Sequence, residues 1–227
     1  MPVSLSTFEF LRELNENNNR EWFTSNRKRY DAAKSELELL VDFLIIETGK
    51  IQELGPTQVK DCLFRINRDI RFSKDKSPYK NFLSAAIGPG GRNSGRIDYY
   101  IHIQPGGNSF LGGGMWSPTS AQLAKYRQEI DYNAAELRAI IDQEEFRNFF
   151  PEIWGEVMKT FPKGYPKDHA DIDLLRYKQL FFMHKFTDAE VQHADFPHQV
   201  MYGIGLLKPF CDFLNYLFFD EDQLTAH

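Results

Sequence analysis

The chain has 227 residues, 42% hydrophobic and 26% charged, and its 27 Lys and Arg against 32 Asp and Glu give a formal net charge of -5. That length can bury a sizeable core, and that balance excludes an intrinsically disordered chain. The acidity argues against broad, non-specific nucleic-acid binding, which rests on an extended basic surface. No apolar run approaches the roughly 20 residues of a membrane-spanning helix. The opening MPVSLSTFEF lacks the basic start and apolar stretch of a secretory leader, so a cytoplasmic protein with no membrane partner is expected. Cys62 and Cys211 lie in apolar surroundings, without a CxxC pair or a zinc-spaced Cys/His cluster, which predicts two reduced, buried thiols.

Ser6-x-x-Glu9 has capping-box spacing ahead of Phe8, Leu11 and Leu14, which predicts a short first helix that stops in the Asn17-Asn18-Asn19 run. Asn18, with Glu21 three residues on, predicts the cap of a second, long helix. Trp22, Asn26, Tyr30, Ala33, Leu37, Leu40, Val41 and Leu44 recur along it at helical spacing, and it should end near Gly49. After Gly55-Pro56, Cys62, Phe64 and Ile66 alternate with Leu63, Arg65 and Asn67, which predicts a strand over 61–67.

A further short strand is expected over Leu83 to Ile87, followed by a Gly-rich loop over 88–95. Ile97, Tyr99, Ile101 and Ile103 alternate with Asp98, Tyr100, His102 and Gln104; the Pro105-Gly106-Gly107-Asn108 turn and the returning run Ser109 to Trp116 complete a β-hairpin. Gly112-Gly113-Gly114 leave room for close approach by a backbone, a side chain or a ligand.

From Thr119 onward helices dominate, broken at Asp131 and at Phe150-Pro151. Leu174 to Phe186 fits either helix or strand, Thr187-x-x-Glu190 is again a capping box, and 197–219 reads as helix with a kink or a second start at Pro209. The expected fold class is α+β: an antiparallel meander and hairpin flanked by N-terminal and C-terminal helices. One domain over 1–227 is expected, with 119–227 a possible helical subdomain.

Charge is concentrated in one place. Between Arg65 and Lys80, in the run RINRDIRFSKDKSPYK, six cations face only Asp69 and Asp75, a local charge of +4 in a chain whose remainder carries -9. Local positive potential suits a compact anion better than a long duplex. Arg65, Arg68 and Arg71 would contact the anion, Asp69 would orient one arginine, and Lys76 and Tyr79 would close the site. Trp116, just past the hairpin, would stack on a ligand. The alternative is a structural brace, in which the arginines pair with carboxylates of the acidic helices.

Asp69 and His102 are the only candidates for acid-base groups, which keeps open an enzyme acting on phosphate esters or nucleic-acid ends. No G-x-S-x-G elbow, activated cysteine or H-E-x-x-H pattern accompanies them. Gly88 to Gly95 matches no phosphate-loop spacing and reads as a hairpin connection. Asp168-His169-x-Asp171-x-Asp173 looks like metal ligands but reads as a solvated loop. No cofactor or metal is indicated. A third possibility is an interaction module whose basic motif docks an acidic protein.

The run Arg65-x-x-Arg68-Asp69-x-Arg71-Phe72, continued through Asp75-Lys76-x-x-Tyr79, resembles the hallmark motif of a mostly bacterial family of uncharacterised proteins, the domain of unknown function 2461. The Asn-Asn-x-x-Trp22-Phe23 region, Tyr99-Tyr100-x-His102, Gly112-Gly113-Gly114-Met115-Trp116 and the C-terminal helices are similar too. The resemblance implies a stand-alone protein of about this length and carries no established activity. Oligomeric state cannot be read from these features.

Overall fold

A computed structural model describes residues 2–220. Within them lie helices α1 (Leu5–Glu16), α2 (Arg20–Ser25), α3 (Arg27–Thr48), α4 (Val59–Cys62), α5 (Ser120–Ile141), α6 (Glu144–Phe149), α7 (Ile172–Leu175), α8 (Asp188–Gln192) and α9 (Phe196–Phe218). Strands β1 (Leu83–Ile87), β2 (Tyr99–Ile103), β3 (Ser109–Met115), β4 (Glu152–Trp154) and β5 (Leu180–Phe186) form one antiparallel sheet in the order β1-β2-β3-β5-β4. The fold is α+β, with helices at both ends of the chain.

Local chemistry explains where the elements begin and end. Ser4, not Ser6, caps α1 by accepting the Thr7 N–H, and the Glu36 carboxylate accepts from the Ser4 N–H, the Ser4 hydroxyl and the Thr7 hydroxyl. The expected long second helix is two helices. Asn19 caps α2, and at Asn26 the backbone leaves helical geometry before α3 starts.

The strand expected over 61–67 does not form. Asp61 accepts the Gln58 N–H at 3.0 Å, which winds Val59–Cys62 into α4. Beyond it only two isolated bridges remain, Leu63 with Ala85 and Asn67 with Tyr79. The β2–β3 hairpin forms as expected, and Leu174 to Phe186 divides into α7 and β5. α5 bends at Asn133, and Pro209 lies within α9.

By contact density the chain divides into two compact units. The first comprises the chain up to Gly95, Tyr100–Leu111 and Lys185–Tyr202; the second comprises Arg96–Tyr99, Gly112–His184 and the chain from Gly203 onward. In the first, Phe8, Phe10, Leu11 and Leu14 of α1 and Leu37, Leu40, Val41 and Leu44 of α3 are fully or almost fully buried. Burial of each such side chain contributes about 2 kcal/mol. In the second, Tyr126, Ile130 and Leu137 of α5 and Ile204, Leu207, Phe210 and Leu214 of α9 are buried. The glycine run serves that unit: a Cβ on Gly112 would lie 2.3 Å from the Phe181 ring, and one on Gly114 would lie 2.3 Å from the Leu180 carbonyl oxygen. The room it leaves is filled by β5. Cys62 and Cys211 are both buried.

Candidate anion site

The basic run is a hairpin with almost no ladder. The Arg68 N–H donates to the Pro78 carbonyl at 2.9 Å and the Lys80 N–H to the Ile66 carbonyl at 2.8 Å, closing a neck from which 69–77 projects as a loop. The loop is held by its own side chains. Asp69 takes the Arg71 guanidinium on both oxygens, with Nε to Oδ1 at 3.0 Å and Nη2 to Oδ2 at 2.6 Å. Asp75 accepts from Arg68, from the Ser77 N–H at 2.9 Å and from the Ser77 hydroxyl at 2.7 Å. Lys76 Nζ donates to the Ile70 carbonyl at 2.9 Å. The guanidinium of Arg71 holds the Asp69 carboxyl below its ordinary pKa, and that of Arg68, helped by Ser77, does the same for Asp75.

Tyr79 pins this hairpin to the helices. Its ring is buried and stacks on Phe23 at 3.9 Å, and Phe23 packs in turn against Tyr30 and Phe10. The Asn18 side chain accepts the Tyr79 N–H at 3.1 Å and donates to the Tyr79 carbonyl at 2.9 Å. The Asn-Asn-x-x-Trp-Phe segment therefore serves as the mount for the basic motif.

Beside Tyr79 opens a cavity of about 490 Å³ whose walls include Arg68, Asp69, Asp75, Lys80 and Phe82. Asn15, Asn18 and Asn81 add amides, two of which are joined by an Asn81 to Asn15 hydrogen bond of 2.8 Å. Lys80 differs from Arg68, the other cation of the wall. Among the described residues it forms no salt bridge; its Nζ instead lies 5.4 Å from the centre of the Phe64 ring and 5.6 Å from that of Phe82. Burial, followed by the charge of Arg65, lowers its pKa. An ammonium beside two ring faces and a second cation gains electrostatically from an arriving anion.

The residues singled out from the sequence fall into three places. Arg68, Asp69 and Tyr79 line the cavity. Arg65, Arg71 and Lys76 are exposed on the same hairpin, where the field of Arg65 reaches both Asp69 and Lys80. Arg68 and Arg71 pair within the loop, not with carboxylates of the acidic helices. Trp116 belongs to the second unit, where it stacks on Trp154 at 3.8 Å and its carbonyl accepts from Gln179.

His102 does not line the cavity. It lies behind the wall residue Phe82, at 4.2 Å between ring centres, and stacks on Phe110 at 4.8 Å. Its Nε2 meets Gln104 Oε1 at 2.9 Å and its Nδ1 meets the Tyr100 hydroxyl at 3.3 Å. Burial lowers its pKa, and both nitrogens are engaged.

The other motif-like segments are tied down structurally. Arg92 of the Gly-rich loop donates to the Lys60 and Asp61 carbonyls at 2.7 and 2.8 Å. His169 contacts Asp131, and Asp171 and Asp173 share Arg138. Among the described residues, no three His, Cys, Asp or Glu side chains gather in a metal-holding group.

Comparison with curated proteins and with solved structures finds no match to either. A family model described as conserved hypothetical protein (DUF2461) matches residues 6–213, most of the chain, and the chain therefore belongs to this family.

Proposed function

We propose that the protein binds an anionic ligand, phosphate-bearing or nucleotide-like, in the cavity beside Tyr79. The observation that carries this reading is Lys80, a half-buried ammonium with no salt bridge among the described residues, set in the cavity wall. Arg65, on the same hairpin, adds positive field at Lys80. A guanidinium carries five donors, so Arg68 retains several for a ligand after its contact with Asp75. Asp69 and Asp75 fix the loop while leaving the hairpin a net charge of +4. Tyr79 positions Lys80 through the backbone, and Phe82 offers a ring face to a base or sugar. Trp116 has no part in this reading. We further propose a cytoplasmic location, a reading supported by two buried cysteines without a CxxC pair.

Thermal unfolding across inorganic phosphates, nucleotides and short oligonucleotides tests the reading. A ligand that binds only the folded chain at 100 times its Kd adds about 2.7 kcal/mol of stability. The expected result is a rise in midpoint for the wild type and none for Arg68→Ala plus Lys80→Met. A panel that shifts neither protein, or both equally, removes the proposal.

A further inference from the structure

Phe72, on the loop at 69–77, is 94% exposed. The segment that carries it is fastened by the Asp69–Arg71 pair, by Asp75 on Ser77 and by Lys76 on the Ile70 carbonyl, so the ring is presented by a preshaped support. The Arg71 guanidinium lies 5.9 Å from the ring centre. Lys74 is exposed and has no carboxylate partner among the described residues. An apolar knob inside a cationic collar calls for an apolar seat rimmed by carboxylates.

The same chain carries such a seat. On α3, Leu39 is 48% exposed and Ile46 56% exposed, two turns apart, with half-buried Phe43 between them. Asp42 lies on this stripe, exposed and without a cationic partner among the described residues. Glu38 and Glu47 are already paired with Lys34 and Lys50. Past the helix end, exposed Ile51 and Glu53 extend the same chemistry.

We propose that the occupant of the α3 stripe is a second copy of this chain, with Phe72 of each copy seated on Leu39 and Ile46 of the other and Lys74 facing Asp42. Charge complementarity selects this arrangement: Lys74 and Asp42 are exposed opposite charges without ion-pair partners among the described residues, while two hairpins of +4 repel each other. A two-fold axis makes the contact reciprocal and uses both knobs and both seats, giving a closed dimer. The proposal rests on the loop tip and α3, and is independent of what the cavity binds.

Analytical ultracentrifugation of the full chain, over roughly 1 to 300 μM at low and high salt, reads the association directly. The expected result is a dimer whose dissociation constant rises about tenfold or more in Phe72→Ser and in Ile46→Glu. Lys74→Glu should weaken it, and Lys74→Glu with Asp42→Lys should restore it. All four positions are exposed, and an unchanged circular dichroism melt certifies the folded variants. A wild type that stays monomeric throughout, or a dimer indifferent to Phe72→Ser and to Ile46→Glu, overturns the proposal. So does a monomer that binds phosphatidylglycerol vesicles through Phe72, which would assign the tip to a membrane.

Discussion

The side chain of Asn18 stands in for a neighbouring strand at Tyr79: one amide accepts the Tyr79 N–H and donates to its carbonyl, across 61 positions of sequence. Tyr79 is buried and both bonds are partly buried, so water replaces the amide poorly at either backbone group. This contact fastens the basic hairpin to the N-terminal helices and sets the position of Lys80, the next residue.

Asn18→Ala should therefore destabilise the fold by about 1 to 2 kcal/mol, the cost of removing two partly buried hydrogen bonds. Urea unfolding measures it. Asn18→Asp keeps the acceptor and loses the donor, and should fall between the two.

Gly112 and Gly205 separate close approach from helix propensity. A methyl at Gly112 meets the Phe181 ring at 2.3 Å and the Phe182 carbonyl oxygen at 2.7 Å, so Gly112→Ala should cost roughly 2 to 3 kcal/mol. Gly205 lies within α9 with nothing within 4 Å of an added methyl, so Gly205→Ala should stabilise by about 0.5 to 1 kcal/mol.

Asp98 makes stability pH-dependent. Burial pushes its carboxyl from an ordinary value of 3.8 up to about 7, so the folded chain holds a proton that the unfolded chain releases. The associated stability is complete below about pH 4 and is lost as pH rises through about 7. Denaturant unfolding of the wild type should show this fall, on the order of 2 to 4 kcal/mol. Asp98→Asn, which keeps a neutral side chain, should flatten it.

Much of the fold was legible where the pattern was local. LSAAI became β1, and the alternation of Tyr99 to Ile103 with its Gly-Gly turn became the hairpin. The 61–67 alternation misled because Asp61 closes a helical turn with Gln58 before any strand can pair. β4 went unread because three residues, recruited by pairing with β5, carry no periodicity of their own. At the site, the cations were visible as a run, but their pairing inside the loop was not. Asn18 read as a helix cap, since nothing near it in sequence points to Tyr79. The isolation of Lys80 depends on Phe64 and Phe82, sixteen residues before it and two after, meeting around one amine.

Asp75 tests how far the loop's carboxylates restrain the site. Asp75→Asn frees Arg68 and raises the charge of the cavity wall by one. Phosphate affinity should increase several-fold at low salt, an advantage that shrinks as salt is added. Equilibrium titration at two ionic strengths reads both effects.

The most direct test is calorimetric titration of inorganic pyrophosphate into the wild type and into Lys80→Met. Methionine keeps the apolar stem between Phe64 and Phe82 and removes only the charge. The wild type should bind with measurable heat, and Lys80→Met should bind at least about tenfold more weakly while unfolding at the same temperature or higher. Equal binding by the two proteins would contradict the role of Lys80, and no binding by either would contradict the site.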